Sequence, residues 1–153
     1  MTLRIVVDDL TGDATLRLIA AHLASMHDLT PPESVHALDP GALADPAVTV
    51  WSAWEGDHLV GIGALKQLDP QRGELKSMRV DDRFRGTGAG RALLRHIVDA
   101  ARQRGIRSLW LETGADEGFL PARRLYESEG FAPCGPFADY RPDQLSVFMT
   151  RVL

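Results

Sequence analysis

The segment Arg85-Gly86-Thr87-Gly88-Ala89-Gly90 constrains this chain most, because an apolar strand pattern runs into it and an amphipathic helix pattern runs out of it. Glycine adopts positive φ without the penalty that a Cβ imposes, and its missing side chain lets the backbone approach a ligand closely. The first N–H groups of a helix have no acceptor within the helix, so a helix that starts at such a loop offers them to an anion. On the glycines alone, the segment reads either as a tight strand-to-helix turn or as a phosphate cradle. Two features favour the cradle: Arg85 opens the pattern Arg-x-x-Gly-x-Gly, and a second block, Leu125-Tyr126-Glu127-Ser128-Glu129-Gly130-Phe131, follows further along the chain.

Size and composition bound the rest. A chain of 153 residues, 44% hydrophobic and 25% charged, has room for one good core, so one domain spanning residues 1–153 is expected. With 17 basic and 21 acidic residues, net charge −4, neither nucleic acid nor an anionic membrane is an expected partner. Arginines 79, 83, 85, 91, 95, 102, 104 and 107 nevertheless crowd around the glycine loop. They read as a solvated helix face or as a basic surface for a polyphosphate ligand. Cys134 stands alone, which forbids an intramolecular disulfide, and the histidines at 22, 27, 36, 58 and 96 form no ligand pair, so no metal is expected. The N-terminal residues lack the basic head and long apolar stretch of a secretory signal, hence a cytoplasmic location is expected.

Hydrophobic periodicity predicts strands at Leu3–Val7, Val48–Trp54, Leu59–Leu68, Glu74–Val80 and Ser108–Thr113, with two more near Phe131–Phe137 and Gln144–Val152. Helices are expected from an Asp13 cap to about Met26, from about Glu33 to Leu43 with an interruption at Asp39-Pro40-Gly41, from the glycine loop to Gly105, and from Pro121 to Glu129. The third should turn Leu93, Leu94, Ile97 and Ala101 inward and Arg91, Arg95 and Arg102 outward. This order implies a mixed α/β (α+β) fold: a mostly antiparallel sheet of six to seven strands with helices on both faces.

Other phosphate motifs fit poorly. No lysine follows the glycines as a P-loop demands, and Arg91 stands where a dinucleotide fingerprint needs its third glycine. The loop, with the preceding strand Glu74–Val80, instead resembles the acyl-CoA motif of the GNAT superfamily of N-acetyltransferases, and Leu-Tyr-x-x-x-Gly-Phe at 125–131 resembles that superfamily's second signature. The blocks Pro31-Pro32-Glu33-Ser34-x-His36-Ala37-Leu38-Asp39, Gly63-Ala64-Leu65-Lys66, Leu111-Glu112-Thr113-Gly114, Pro121-Ala122-Arg123 and Cys134-x-Pro136-Phe137-x-x-Tyr140 extend the likeness, which is to the bacterial YsnE-like branch, over nearly the whole chain.

The resemblance implies the GNAT fold, acetyl-CoA as acyl donor and transfer to an amine, with a homodimer a common arrangement in the superfamily. It places the pantetheine arm beside Met78, Arg79 and Val80, where the strand splays from its neighbour, and the pyrophosphate against N–H groups of Arg85, Gly86, Thr87, Gly88, Ala89, Gly90 and Arg91. Phe119 stands where many members carry an asparagine. Tyr126 matches the superfamily's general acid; without the motif it reads as a packed helical tyrosine. Glu112 and Glu74 compete for the role of general base, with Glu112 preferred, and either also reads as an ordinary strand-end carboxylate. Cys134 has no local His or Lys to lower its pKa, which favours direct attack in a ternary complex. Between the first two helices, residues 27–36 carry carboxylates and no Lys or Arg, so Glu33 and His36 are candidate contacts for a small cationic or amino-acid-like acceptor, or simply the start of a helix. Two other functions compete with acetyl transfer: a catalytically silent acyl-CoA sensor on the same fold, and an unrelated nucleotide-binding module.

Overall fold

Alternation of side chains along the strands divides the apolar residues between the two faces of one sheet. The protein, seen here as a computed structural model in which residues 2–153 are described, has strands β1 (Arg4–Val7), β2 (Val48–Glu55), β3 (His58–Asp69), β4 (Arg72–Val80), β5 (Ser108–Gly114), β6 (Ala132–Cys134) and β7 (Ser146–Val152). They lie in the order β1-β2-β3-β4-β5-β7-β6, antiparallel throughout except for the parallel pair β4–β5. Four helices cover the faces: α1 (Asp13–Leu29) and α2 (Pro40–Leu43) on one, α3 (Ala89–Gln103) and α4 (Leu120–Ser128) on the other.

On the α3 face, Trp51, Leu65, Leu75, Leu109, Leu111 and Met149 of the sheet pack against Leu93, Leu94, Ile97 and Ala101 of α3 and Tyr126 of α4. On the opposite face, Val50, Leu59, Ile62 and Ala64 meet Leu18 and Ile19 of α1 and Leu43 of α2. The inward stripe expected of α3 is therefore buried, and Arg95 and Arg102 face solvent. Arg91 and Arg95 both engage the nearly buried Glu129, at the C-terminal end of α4, with Arg95 Nε donating at 3.1 Å. That bridge fixes the end of α4 to the outer side of α3. Much of the arginine cluster is thus committed within the protein, with Arg83 on Asp81, Arg85 on Asp82 and Arg102 on Asp99.

Several boundaries differ from the sequence expectation, for local reasons. Gly12 occupies the N-cap of α1 and Asp13 is its first helical residue, while the helix runs on to Leu29. The expected second helix is instead a 3₁₀ turn at Pro32–Ser34 and the one-turn α2. Pro40 disfavours helical geometry at the residue before it, so Asp39 is extended and uses its carboxylate to accept the Ala42 N–H at 2.8 Å. The strand expected over Phe131–Phe137 shrinks to Ala132–Cys134, because Pro133 and Pro136 lack ladder donors and β6 survives only as a sheet edge.

Phe119, the departure from the usual asparagine, is buried at 8% exposure with its ring directly over Gly114. A Cβ at position 114 would overlap that ring. Gly114→Ala should accordingly cost about 1–3 kcal/mol by overpacking. In urea unfolding, a double variant with Phe119→Ala should recover part of the Gly114→Ala loss; strictly additive losses would mean that the two positions do not share this space.

Candidate active site

The parallel ladder between β4 and β5 pairs Arg72 with Ser108 through Leu75 with Leu111, and stops there. Beyond that point β4 stays bound to β3 as far as Val80, and β5 stays bound to β7 as far as Gly114. The two central strands therefore part, leaving a wedge with Lys76–Val80 on one side and Glu112–Gly114 on the other. A bulge causes the parting on the β4 side. Ala64 pairs with Lys76 while Ile62 pairs with Arg79, so Ser77 and Met78 together oppose Gly63, and Ser77 takes φ 55°. Met78 turns toward α3, where a Cβ on Gly63 would strike its sulfur. Arg79 lies opposite Ile62 on the α1 face.

The glycine loop follows at once. Asp81 accepts the Arg83 N–H at 2.9 Å, Thr87 Oγ1 donates to the Phe84 carbonyl at 2.6 Å, and Gly86 and Gly88 take φ 74° and 86°. Neither glycine is crowded, so conformation and not space requires them there. Gly88 is the N-cap of α3 and supplies no side-chain acceptor, and the first helical bond is Ala92 N–H to Gly88 O. The N–H groups of Ala89, Gly90 and Arg91 consequently precede any intrahelical acceptor and remain open to an anion.

The second motif has a mechanical basis. Gly130 at φ 92° ends α4, and the Phe131 N–H returns to the Tyr126 carbonyl at 3.0 Å, with Gly130 N–H on Glu127 O. The turn folds Phe131 back onto Tyr126, ring centroids 5.8 Å apart. Tyr126 is 7% exposed in the α3-face core, and burial raises its phenol well above the ordinary tyrosine value. The proton is secure at neutral pH, but the pKa moves away from that of a thiol, about 8.5. In this state the hydroxyl is better suited to donating a hydrogen bond to a developing thiolate than to surrendering its proton outright.

Opposite Tyr126, on the α1 face, stands a polar cluster. Tyr140, in the β6–β7 connection, donates to Glu74 Oε2 at 2.5 Å; Lys76 Nζ donates to the same oxygen at 3.2 Å and to the Tyr140 hydroxyl at 2.9 Å. Burial, followed by the Glu74 and Glu112 carboxylates, holds the Tyr140 phenol far above its usual range. His36 stands edge-on to Tyr140 at 5.0 Å, and Phe137 and Phe148 close the other sides. Glu112 receives the Ser146 hydroxyl at 2.7 Å. Burial pushes Glu112 above the usual carboxylate range, against the lowering influence of Ser146, His36 and Lys76.

The structure therefore brings Glu74, Glu112 and His36 to one face and sets Tyr126 on the other. Glu33 sits exposed on the 3₁₀ turn, outside this hydrogen-bonded cluster. Lys76 and Tyr140 were not singled out from sequence as site residues. The available signal was scarcity, since the chain has 2 tyrosines and only Lys66 and Lys76 as lysines. Two surface concavities, of about 290 and 400 Å³, are lined by residues such as Leu43 and Val50 or Arg17 and Asp57, and neither lies in the wedge.

The acetyltransferase (GNAT) family model matches residues 16–131. The chain is 51% identical over 151 residues to the N-acetyltransferase YsnE of Bacillus subtilis, covering 99% of this chain and 100% of that protein. It is 49% identical over 146 residues to the N-acetyltransferase YedL of Escherichia coli, covering 95% and 92%. Among solved structures, an acyl-CoA N-acyltransferase from Klebsiella pneumoniae superposes with a TM-score of 0.80 at 31% identity, covering 99% of this chain and 98% of that one. With family sequence and family fold both present along nearly its whole length, the chain belongs to the GNAT family and is an acetyl-CoA-dependent acetyltransferase.

Proposed function

We propose that this enzyme acetylates a small amine or amino-acid-like acceptor by direct attack while donor and acceptor are both bound. The observation that carries the reading is the Glu112 carboxylate on the open side of the wedge, held by the neutral Ser146 hydroxyl, in contrast to Glu74, which already accepts from the Lys76 ammonium and the Tyr140 hydroxyl. Glu112 is the base: it takes a proton from the acceptor's ammonium, directly or through one water. The freed amine attacks the thioester carbonyl, the carbon–sulfur bond breaks while the Tyr126 hydroxyl donates a hydrogen bond to the departing sulfur, and the proton still carried by the new amide nitrogen passes to that sulfur to give the CoA thiol. His36 and, at the exposed rim, Glu33 face the incoming cation. Met78, Arg79 and Val80 offer unpaired backbone to the pantetheine amides, and the N–H groups from Arg85 to Arg91 hold the pyrophosphate. Cys134 supports the direct route, since burial raises its thiol pKa and leaves little thiolate for a covalent intermediate.

Glu112→Gln should lower kcat/KM at least a hundredfold and abolish the acidic limb of the pH profile. That limb should lie above the ordinary carboxylate value of about 4.3, because the base is free only above its raised pKa. The same shift has a stability signature. A carboxyl that holds its proton more tightly when folded makes stability fall as pH rises from the unfolded to the folded pKa, so Glu112→Gln should melt higher than wild type near pH 7 and lose that advantage in acid. Should Glu74→Gln remove the limb instead, the base is Glu74.

Tyr126→Phe should reduce turnover at least tenfold, within the range of general acid–base contributions, with little change in CoA affinity. Unchanged turnover under rate-limiting chemistry would leave the hydroxyl with packing alone.

For the loop, Gly88→Ala meets a conformational penalty of about 1–2 kcal/mol at its positive φ. Calorimetry should show at least tenfold weaker CoA binding by a variant that still unfolds cooperatively. An unchanged CoA dissociation constant, or tighter binding of NAD than of CoA by wild type, would remove this loop from the cofactor site.

A further inference from the structure

Among the described residues, three buried side-chain polar atoms have no hydrogen-bond partner: His22 Nδ1, Ser77 Oγ and Arg79 Nε. Each such orphan costs about 1–3 kcal/mol, so three of them require an explanation. Two of them are neighbours. Arg79 lies on the released segment of β4 and His22 on α1, which packs against that strand close enough for the Arg79 charge to act on its ring, whereas Ser77 shares the bulge with Met78 against Gly63. His22 is 8% exposed, and the Arg79 side chain 15%.

Arg79 is only loosely committed elsewhere. Its Nη2 reaches Asp82 at 3.7 Å, beyond hydrogen-bond distance, while Arg85 holds the same Asp82 oxygen at 2.8 Å. Desolvation, then the Arg79 charge, lowers His22 to about 4, so its ring is neutral at physiological pH and one nitrogen carries hydrogen. The Arg79 guanidinium N–H is a donor, and the His22 tautomer protonated at Nδ1 adds a second. Convergent donors around one cation select an acceptor-only anion, and a planar carboxylate matches the guanidinium edge.

The face decides where that carboxylate resides. Glu112 alternates with Leu109 and Leu111 of the α3-face core and so projects to the α1 face, the face that Arg79 occupies opposite Ile62. A ligand spanning the two would place its amine at Glu112 and its anionic end at Arg79. We propose that His22 and Arg79 form a carboxylate-binding subsite for the acceptor, which makes the acceptor an amino acid and not a simple amine. This rests on the amine-acetylation reading above.

The experiment compares amino acids with their amides as acceptors, reading CoA thiol release. Wild type should favour the acid over the amide at least tenfold in kcat/KM. Arg79→Gln should collapse that ratio, and Arg79→Lys should restore part of it by returning the charge without the fork; melting curves confirm that each variant folds. A wild-type ratio near one, a ratio unchanged in Arg79→Gln, or preference for an aminophosphonate over the matching amino acid would overturn the proposal. So would finding that the variants discriminate between succinyl-CoA and acetyl-CoA and not between acceptors, since the carboxylate would then belong to the acyl chain. A second measurement needs no turnover. With CoA present, N-acetylglycine should raise the His22 pKa, followed by imidazole NMR, by at least one unit in wild type and not in Arg79→Gln, whereas N-acetylglycinamide should leave it unmoved. If that titration succeeds while no amine is acetylated, the subsite stands and the acetylation reading falls; if amines are acetylated and the titration fails, the subsite falls alone.

Discussion

Everything particular to this molecule depends on one interrupted ladder. β4 and β5 run parallel and pair only as far as Leu75 and Leu111. A sheet interior normally leaves no backbone group unpaired, because each lost pairing away from water is costly. Here each strand keeps its outer neighbour, β3 or β7, and releases its inner one. The bulge at Ser77–Met78 lets β4 change direction without losing β3. The result is a pair of strand edges inside an otherwise continuous sheet, followed directly by the open start of α3.

The two faces of the wedge then acquire different chemistry from strand alternation alone. Leucines 75, 109 and 111 point to the α3 face and, with Phe131, enclose Tyr126 in apolar surroundings. Residues one step out of phase, Glu74, Lys76 and Glu112, point to the α1 face and are closed over by Phe137, Tyr140 and His36 from loops. A low dielectric on both sides keeps the phenol protonated and the Glu112 carboxyl high. Lys76 decides the asymmetry between the two carboxylates. Its ammonium and the Tyr140 hydroxyl share one oxygen of Glu74, whereas Glu112 has the neutral Ser146 hydroxyl as its hydrogen-bond donor.

The sheet, the α3 stripe, the glycine loop and the tyrosine motif were legible in the sequence because each is a local pattern: alternation, helical spacing, or glycines whose positive φ a turn demands. The α1-face cluster was not, since it joins positions far apart in the chain. Tyr140 reaches Glu74 across 66 residues, Ser146 reaches Glu112 across 34, and Ser34 reaches Asp143 across 109. No spacing rule links such positions. Glu112 and Glu74 look alike in sequence, each a strand carboxylate beside apolar neighbours, and only the arrival of Lys76 and Tyr140 at one of them separates their surroundings. The Glu33–Leu43 helix failed for a different reason, because its apolar spacing was genuine but Pro40 imposed an extended residue before it.

The division between stability and function follows the same line across the sheet. On the closed half, from Arg72 to Leu75 and Ser108 to Leu111, the backbone is paired on both sides and the large core side chains are fully covered. On the open half collect a non-glycine residue at positive φ, a desolvated carboxyl, and the unpartnered atoms of Ser77, Arg79 and His22. Each of these is unfavourable in isolation and would be removed by a sequence optimised only to fold. Their concentration beside one wedge, with Glu112 among them, is what a binding site requires: groups kept short of partners until a ligand brings the missing charge and the missing backbone pairing. Stabilising substitutions are therefore best sought on the closed half, where a gain in packing leaves the wedge untouched.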